Sequence, residues 1–136
     1  MIVKKSQALL LILILLVFIG LLLSIASFLL KTHSEIWFIQ EKGTIAFYLA
    51  CAGLERAKIE AKNGVLTAPL WSGPYFLEGG RYYFYIESIG ANRRLLRAIG
   101  QTLDNSGRVI AEREVEVRVQ NVFVKPQEMN FSWREI

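Results

Sequence analysis

A single cysteine and a single histidine are all that this 136-residue chain offers to thiol or metal chemistry. Cys51 alone excludes an internal disulfide, and together with His33 it falls short of the four ligands of a structural zinc site. No glycine-rich phosphate loop is present, and no serine, histidine and acid occur in a context that would make a nucleophilic triad. Charge is missing from residues 8–30, and none of the three prolines precedes residue 69. These absences point away from an enzyme and from any cofactor or metal. They also leave the first half of the chain free to form one uninterrupted helix.

The uncharged run is the strongest positive signal. As a helix its 23 residues would rise about 34 Å, enough to cross a ~30 Å hydrocarbon core with slight tilt. Ser24 and Ser27 are its only polar interruptions, and serine hydroxyls can bond back to the helix backbone. Lys4 and Lys5 precede the run with no acid, whereas Lys31 and Lys42 beyond it are offset by Glu35 and Glu41. The positive-inside bias therefore predicts an inner-membrane, single-pass anchor with a cytoplasmic N-terminus and an extracytoplasmic body. With Lys4 and Lys5 set aside, 14 of the 16 basic residues and all 12 acidic ones follow residue 30, so the body carries about +2 and is not polycationic. Ser24-Ile25-Ala26 also offers a small-residue cleavage site that would release a secreted domain after Ala26. The roughly 18 apolar residues before it exceed the usual 7–15 of a signal core, so a retained anchor is expected.

The chain divides into a short basic leader (1–7), a transmembrane helix (8–30), an amphipathic continuation of that helix (31–63) and an antiparallel sheet domain (64–136). Asn63-Gly64 supplies the helix stop. Along the continuation, Gly43, Ala46, Ala50, Gly53, Ala57 and Ala61 recur at three- and four-residue steps and so share one helix face. Small side chains there let another backbone come close, either the chain's own sheet or a neighbouring copy. Ile45, Tyr48, Leu49, Ala52 and Ile59 extend the apolar surface around the helix.

Strands are expected at 65–70 and 75–77, separated by Pro69 and Ser72-Gly73-Pro74, then at 81–88, 94–103 and 108–120, with further edges at 122–124 (ended by Pro126) and 131–133. Tyr82, Phe84 and Ile86 alternate against Arg81, Tyr83, Tyr85 and Glu87. Val109, Ala111, Val115, Val117 and Val119 alternate against Ile110, Glu112, Glu114, Glu116 and Arg118, with Arg113 as an exception on the apolar face. The glutamates are expected to be solvated and to face Arg94 or Arg97 across the hairpin. Together with an N-terminal helix this is an α+β fold, a long helix packed on a small antiparallel β-meander. Arg93, Arg94 and Arg97 form the one basic cluster, near Tyr75, Tyr82, Tyr83 and Tyr85, and offer a weak patch for DNA or another anionic ligand.

Two local patterns then carry a resemblance. Lys4-Lys5-Ser6-Gln7-Ala8-Leu9-Leu10 resembles a basic leader junction, with the processing point between Ser6 and Gln7. Residues 46–57, Ala-Phe-Tyr-Leu-Ala-Cys-Ala-Gly-Leu-Glu-Arg-Ala, resemble an Ala-x-Tyr-x-Ala-Glu-Ala-Gly-[LI]-Glu-x-Ala helix, and the ending Ser132-Trp133-Arg134-Glu135 is also similar. Both patterns belong to type IV pilin-like proteins, most nearly the PilX-type minor pilins and type II secretion pseudopilins. The chain departs from that family at Ser6, where glycine precedes the cut, at Leu11, where main subunits carry glutamate, and at Cys51, where glutamate is common. The resemblance implies a non-enzymatic structural subunit that helps start or cap a type IV pilus or pseudopilus. Its implied partners are other pilins or pseudopilins, the prepilin peptidase and an inner-membrane assembly platform. The alternatives from the residues themselves are a membrane-tethered binding module, with nucleic acid or another anion as ligand, and a secreted domain.

Overall fold

The computed structural model describes residues 2–124, 127–128 and 134–136. Helix α1 runs over Ile2–Lys62 without a break. Its end is a Schellman motif: the Gly64 N–H donates to the Ala61 carbonyl at 3.0 Å and the Val65 N–H to the Glu60 carbonyl at 3.0 Å. Gly64 takes φ +81°, the left-handed conformation that glycine adopts without cost, as Asn63-Gly64 predicted.

The chain forms two compact units, Met1–Phe38 and Ile39–Ile136. In the first, the apolar side chains are exposed on every side of the helix, from Leu9 at 68% to Leu30 at 72%. A helix apolar all round is stable only in an apolar surrounding, and this one is long and apolar enough to cross a membrane. Ser24 Oγ donates to the Gly20 carbonyl at 2.9 Å, so this hydroxyl needs no water inside the run. Past the run, the Trp37 indole donates to His33 Nε2 at 2.7 Å.

The second unit is an α+β fold in which residues 39–62 of α1 lie on an antiparallel sheet. Its strands are β1 (Ser72–Leu77), β2 (Gly80–Gly90), β3 (Arg93–Leu103), β4 (Val109–Gln120), β5 (Gln127–Glu128) and β6 (Arg134–Glu135). The order is β1-β2-β3-β4-β5, and β6 also pairs with β4. Short turns join successive strands, at Glu78-Gly79, Ala91-Asn92 and residues 104–108, so the meander is local antiparallel pairing throughout. Alternation places Tyr82, Phe84 and Ile86 of β2, Leu96 and Ala98 of β3, and Val115, Val117 and Val119 of β4 against the helix, all buried.

Four expectations need correction. Residues 65–70 are not a strand: they form an irregular segment in which the Thr67 and Ala68 N–H groups both donate to the Ile86 carbonyl. Ser72-Gly73-Pro74 does not break the sheet but lies inside β1, where the register shifts between Ser72 and Tyr75. An edge strand needs hydrogen bonds on one side only, so proline is tolerated there at a bulge. Residues 122–124 make a turn, entered at Asn121 with φ 55°, instead of a strand. Glu116, expected in water, is 2% exposed. The 131–133 edge and Pro126 lie outside the described residues.

Candidate functional site

The small-residue face is the best-defined surface the sequence singled out. Gly43, Ala46, Ala50, Gly53, Ala57 and Ala61 are all buried against the chain's own sheet. The approach is backbone to backbone. A Cβ built on Gly100 of β3 would lie 2.0 Å from the Ala46 carbonyl oxygen and 2.4 Å from the Ala50 nitrogen. One built on Gly53 would lie 2.9 Å from the Ala98 Cβ and 3.1 Å from Tyr82 Cδ2. Thr102 Oγ1 donates to the Lys42 carbonyl at 3.2 Å, continuing the seam toward the start of the unit. At Gly43 the missing side chain leaves room for the Arg113 guanidinium, 3.2 Å from an added Cβ, which explains a charged residue on the strand's apolar face. On the β1 side, Arg56 stacks over the Tyr75 ring at 3.9 Å, and Tyr75 stacks on Tyr82 and Phe84.

The other face of this helix segment is uncovered. Tyr48 is 67% exposed and Ile59 62% exposed, whereas Leu49 is buried. Of the apolar residues expected to widen the helix surface, Leu49 therefore belongs to the sheet contact and Tyr48 and Ile59 are left for something else. Cys51 lies between these faces and is partly buried. Burial, then the Glu55 carboxylate, pushes its thiol above the ordinary value, opposite to what activates a nucleophile.

The three arginines of the basic cluster do not share a face. Arg94 points to the helix side of β3 and is 7% exposed, while Arg93 and Arg97 point to the other side. Arg97 is committed: its Nε donates to Glu116 Oε2 at 2.7 Å, and Arg134 Nη2 of β6 holds Glu116 Oε1 at 2.7 Å. The pairing of Glu116 with Arg97 follows the β3–β4 register, as the strand alternation implied. Its burial does not follow from that alternation, because it depends on β6, a two-residue strand that no periodicity announces. Arg113 Nε meets Glu135 at 3.2 Å, and the Ile136 N–H donates to the Glu114 carbonyl at 2.9 Å, completing the fastening of β6. Glu112 takes a hydrogen bond from Gln101, and Arg94 faces Val119 across the ladder.

Ser6 and Gln7, the expected processing junction, are helical and exposed, and line an open recess with Leu10 and Leu11. Among the described residues, no group of three or more His, Cys, Asp or Glu could hold a metal ion. No family model, curated protein or solved structure matches this chain.

Proposed function

We propose that this protein is a non-enzymatic, membrane-stored structural subunit, a minor pilin or pseudopilin that helps initiate or cap a type IV pilus or type II secretion pseudopilus. The observation that carries this reading is the continuity of α1. One helix begins as an apolar span exposed on every side and ends as a small-residue face seated on an antiparallel sheet. Such a helix would be held in lipid before assembly and among neighbouring helices after it. In both settings the environment stays apolar. Tyr48 and Ile59, exposed on the helix face away from the sheet, are the side chains proposed to meet neighbouring subunits. Leu11 fits a position with no subunit beyond it. A carboxylate buried there would lack a partner and be costly, and leucine removes that cost.

The deciding experiment is mass spectrometry of the mature N-terminus in membranes from cells with and without the prepilin peptidase. A peptidase-dependent start at Gln7 is expected. A start at Met1 in both strains, or a start at Ser27, would sink the assembly reading. Leu11→Glu is expected not to improve incorporation into filaments, and a clear gain would count against a terminal position.

A further inference from the structure

The apolar surface of α1 does not end with the uncharged run. Lys31, Thr32, His33, Ser34 and Glu35 follow it, and then Ile36, Trp37 and Phe38 stand 48%, 62% and 49% exposed. Consecutive helix residues point about 100° apart, so these three side chains ring the helix instead of forming a stripe. A docked helix or sheet covers one stripe. A ring of large apolar groups suits a medium that surrounds the helix.

The polar groups between the run and the ring are largely closed upon the helix itself. Thr32 Oγ1 donates to the Phe28 carbonyl at 3.0 Å and Ser34 Oγ to the Lys31 carbonyl at 2.8 Å. The Trp37 indole N–H is spent on His33 Nε2, and the two rings meet edge to face with centroids 6.0 Å apart. Side chains on a helix lean toward its N-terminus, and this contact holds the indole over the turn nearer the run. The Trp37 backbone lies about 10 Å past Leu30 at ~1.5 Å per residue, and one turn back, about 5 Å, brings the indole to roughly 5 Å. The headgroup layer extends about 5–8 Å beyond the hydrocarbon core. With Leu30 at the edge of that core, the indole falls inside the layer, the level that amphipathic aromatic rings favour.

We propose that Trp37, flanked by Ile36 and Phe38, is a lipid anchor: a second membrane contact, seated in the phospholipid headgroup layer on the C-terminal side of the span. The ring sets how far the helix stands out of the bilayer. Paired with His33, the indole N–H needs neither water nor a lipid acceptor, so it enters a partly dehydrated layer with no unmet donor. Lys31 and Glu35, the charges nearest to it in sequence, remain at a level where water and headgroups reach them. The contact rests on reading residues 8–30 as membrane-spanning, and it requires neither filament assembly nor the partners proposed above.

The test uses the full chain in phosphatidylcholine vesicles that carry a nitroxide quencher either on the headgroup or near the end of the acyl chain. Trp71 and Trp133 also emit, so Trp37→Phe identifies the share of the fluorescence that belongs to Trp37. That share is expected to be lost with the headgroup label and largely kept with the acyl-chain label. Ile36→Glu, which sets a charge beside the indole, is expected to weaken the quenching while the chain still floats with the vesicles. A Trp37 share quenched by iodide in the water and spared by both lipid labels places the ring above the membrane and overturns the proposal. A share spared by all three quenchers assigns the ring to a protein contact, such as a second copy of this chain, and overturns it too. A chain that does not float overturns the span and this contact together, whereas one that floats with Trp37 spared by the headgroup label overturns this contact alone.

Discussion

At Gly100 a single added methyl group has nowhere to go, because both atoms nearest to it belong to the helix backbone. Gly100→Ala must push α1 off the sheet or bend β3, so we expect about 3 kcal/mol of lost stability, at the upper end of overpacking. Denaturant unfolding should show it as a lower midpoint with the slope unchanged. Gly20→Ala, with nothing within 4 Å of its added Cβ, is the matched control and should not destabilise the chain. Glu116 is vulnerable in the opposite way, through loss. Glu116→Gln leaves Arg97 and Arg134 facing each other without the carboxylate that joins them. Both arginines can turn to water, since their side chains are 37% and 60% exposed. The expected cost is about 2 kcal/mol, below that of a wholly buried pair, and a thermal melt would measure it. Asp104 sets an acid limit. The Ser106 hydroxyl, then the Arg108 N–H, hold its carboxyl below the usual value of 3.8. A carboxylate depressed in the folded state adds stability above its unfolded pKa and loses it as pH falls through the folded one. The contribution should therefore be intact above the ordinary carboxylate range and vanish below it. Asp104→Asn should flatten that part of the acid-side stability profile, and an unchanged profile would refute the assignment.

At the scale of elements, the helix has two faces with separable roles. Ala50→Leu drives a large side chain into a wholly buried position and should destabilise the sheet unit by about 1–3 kcal/mol. Tyr48→Ser with Ile59→Ser should leave the melting temperature nearly unchanged while reducing incorporation into any filament. A double variant that assembles normally would remove these residues from the proposed contact. The small-residue face was legible in the sequence because six residues at helical steps leave few other arrangements, and all six are buried. The β2 alternation was legible for the same reason of period, and so was that of β4 from Val115 to Val119, whereas Val109, expected on the same face, is exposed beyond the register shift at Thr102/Leu103. Pro74 misled, since proline argues against a strand only where both edges must bond, and β1 is an edge. Gly100 was missed because a lone glycine inside a strand carries no periodic signal. Only the fold brings it within reach of Ala46. Arg94 was grouped with Arg93 and Arg97 by proximity along the chain, yet adjacent strand residues point to opposite faces. The burial of Glu116 depended on a strand of two residues.

For the whole molecule, the prediction is one of topology. A periplasmic reporter enzyme fused after Ile136 should be active and a cytoplasmic one inactive, with the reverse for fusions at the N-terminus. The opposite result would contradict the positive-inside reading of Lys4 and Lys5. The seam between α1 and β3 also has a consequence in time. Ala46 and Ala50 close against Gly100, a partner about 50 residues later, and synthesis at roughly 5–20 residues per second separates the two by about 3–10 s. During that interval the helix has been made but its seat has not. A nascent chain would thus present an uncovered stripe of alanine and glycine for seconds before its own sheet arrives, and that delay is when another protein could lay hold of it.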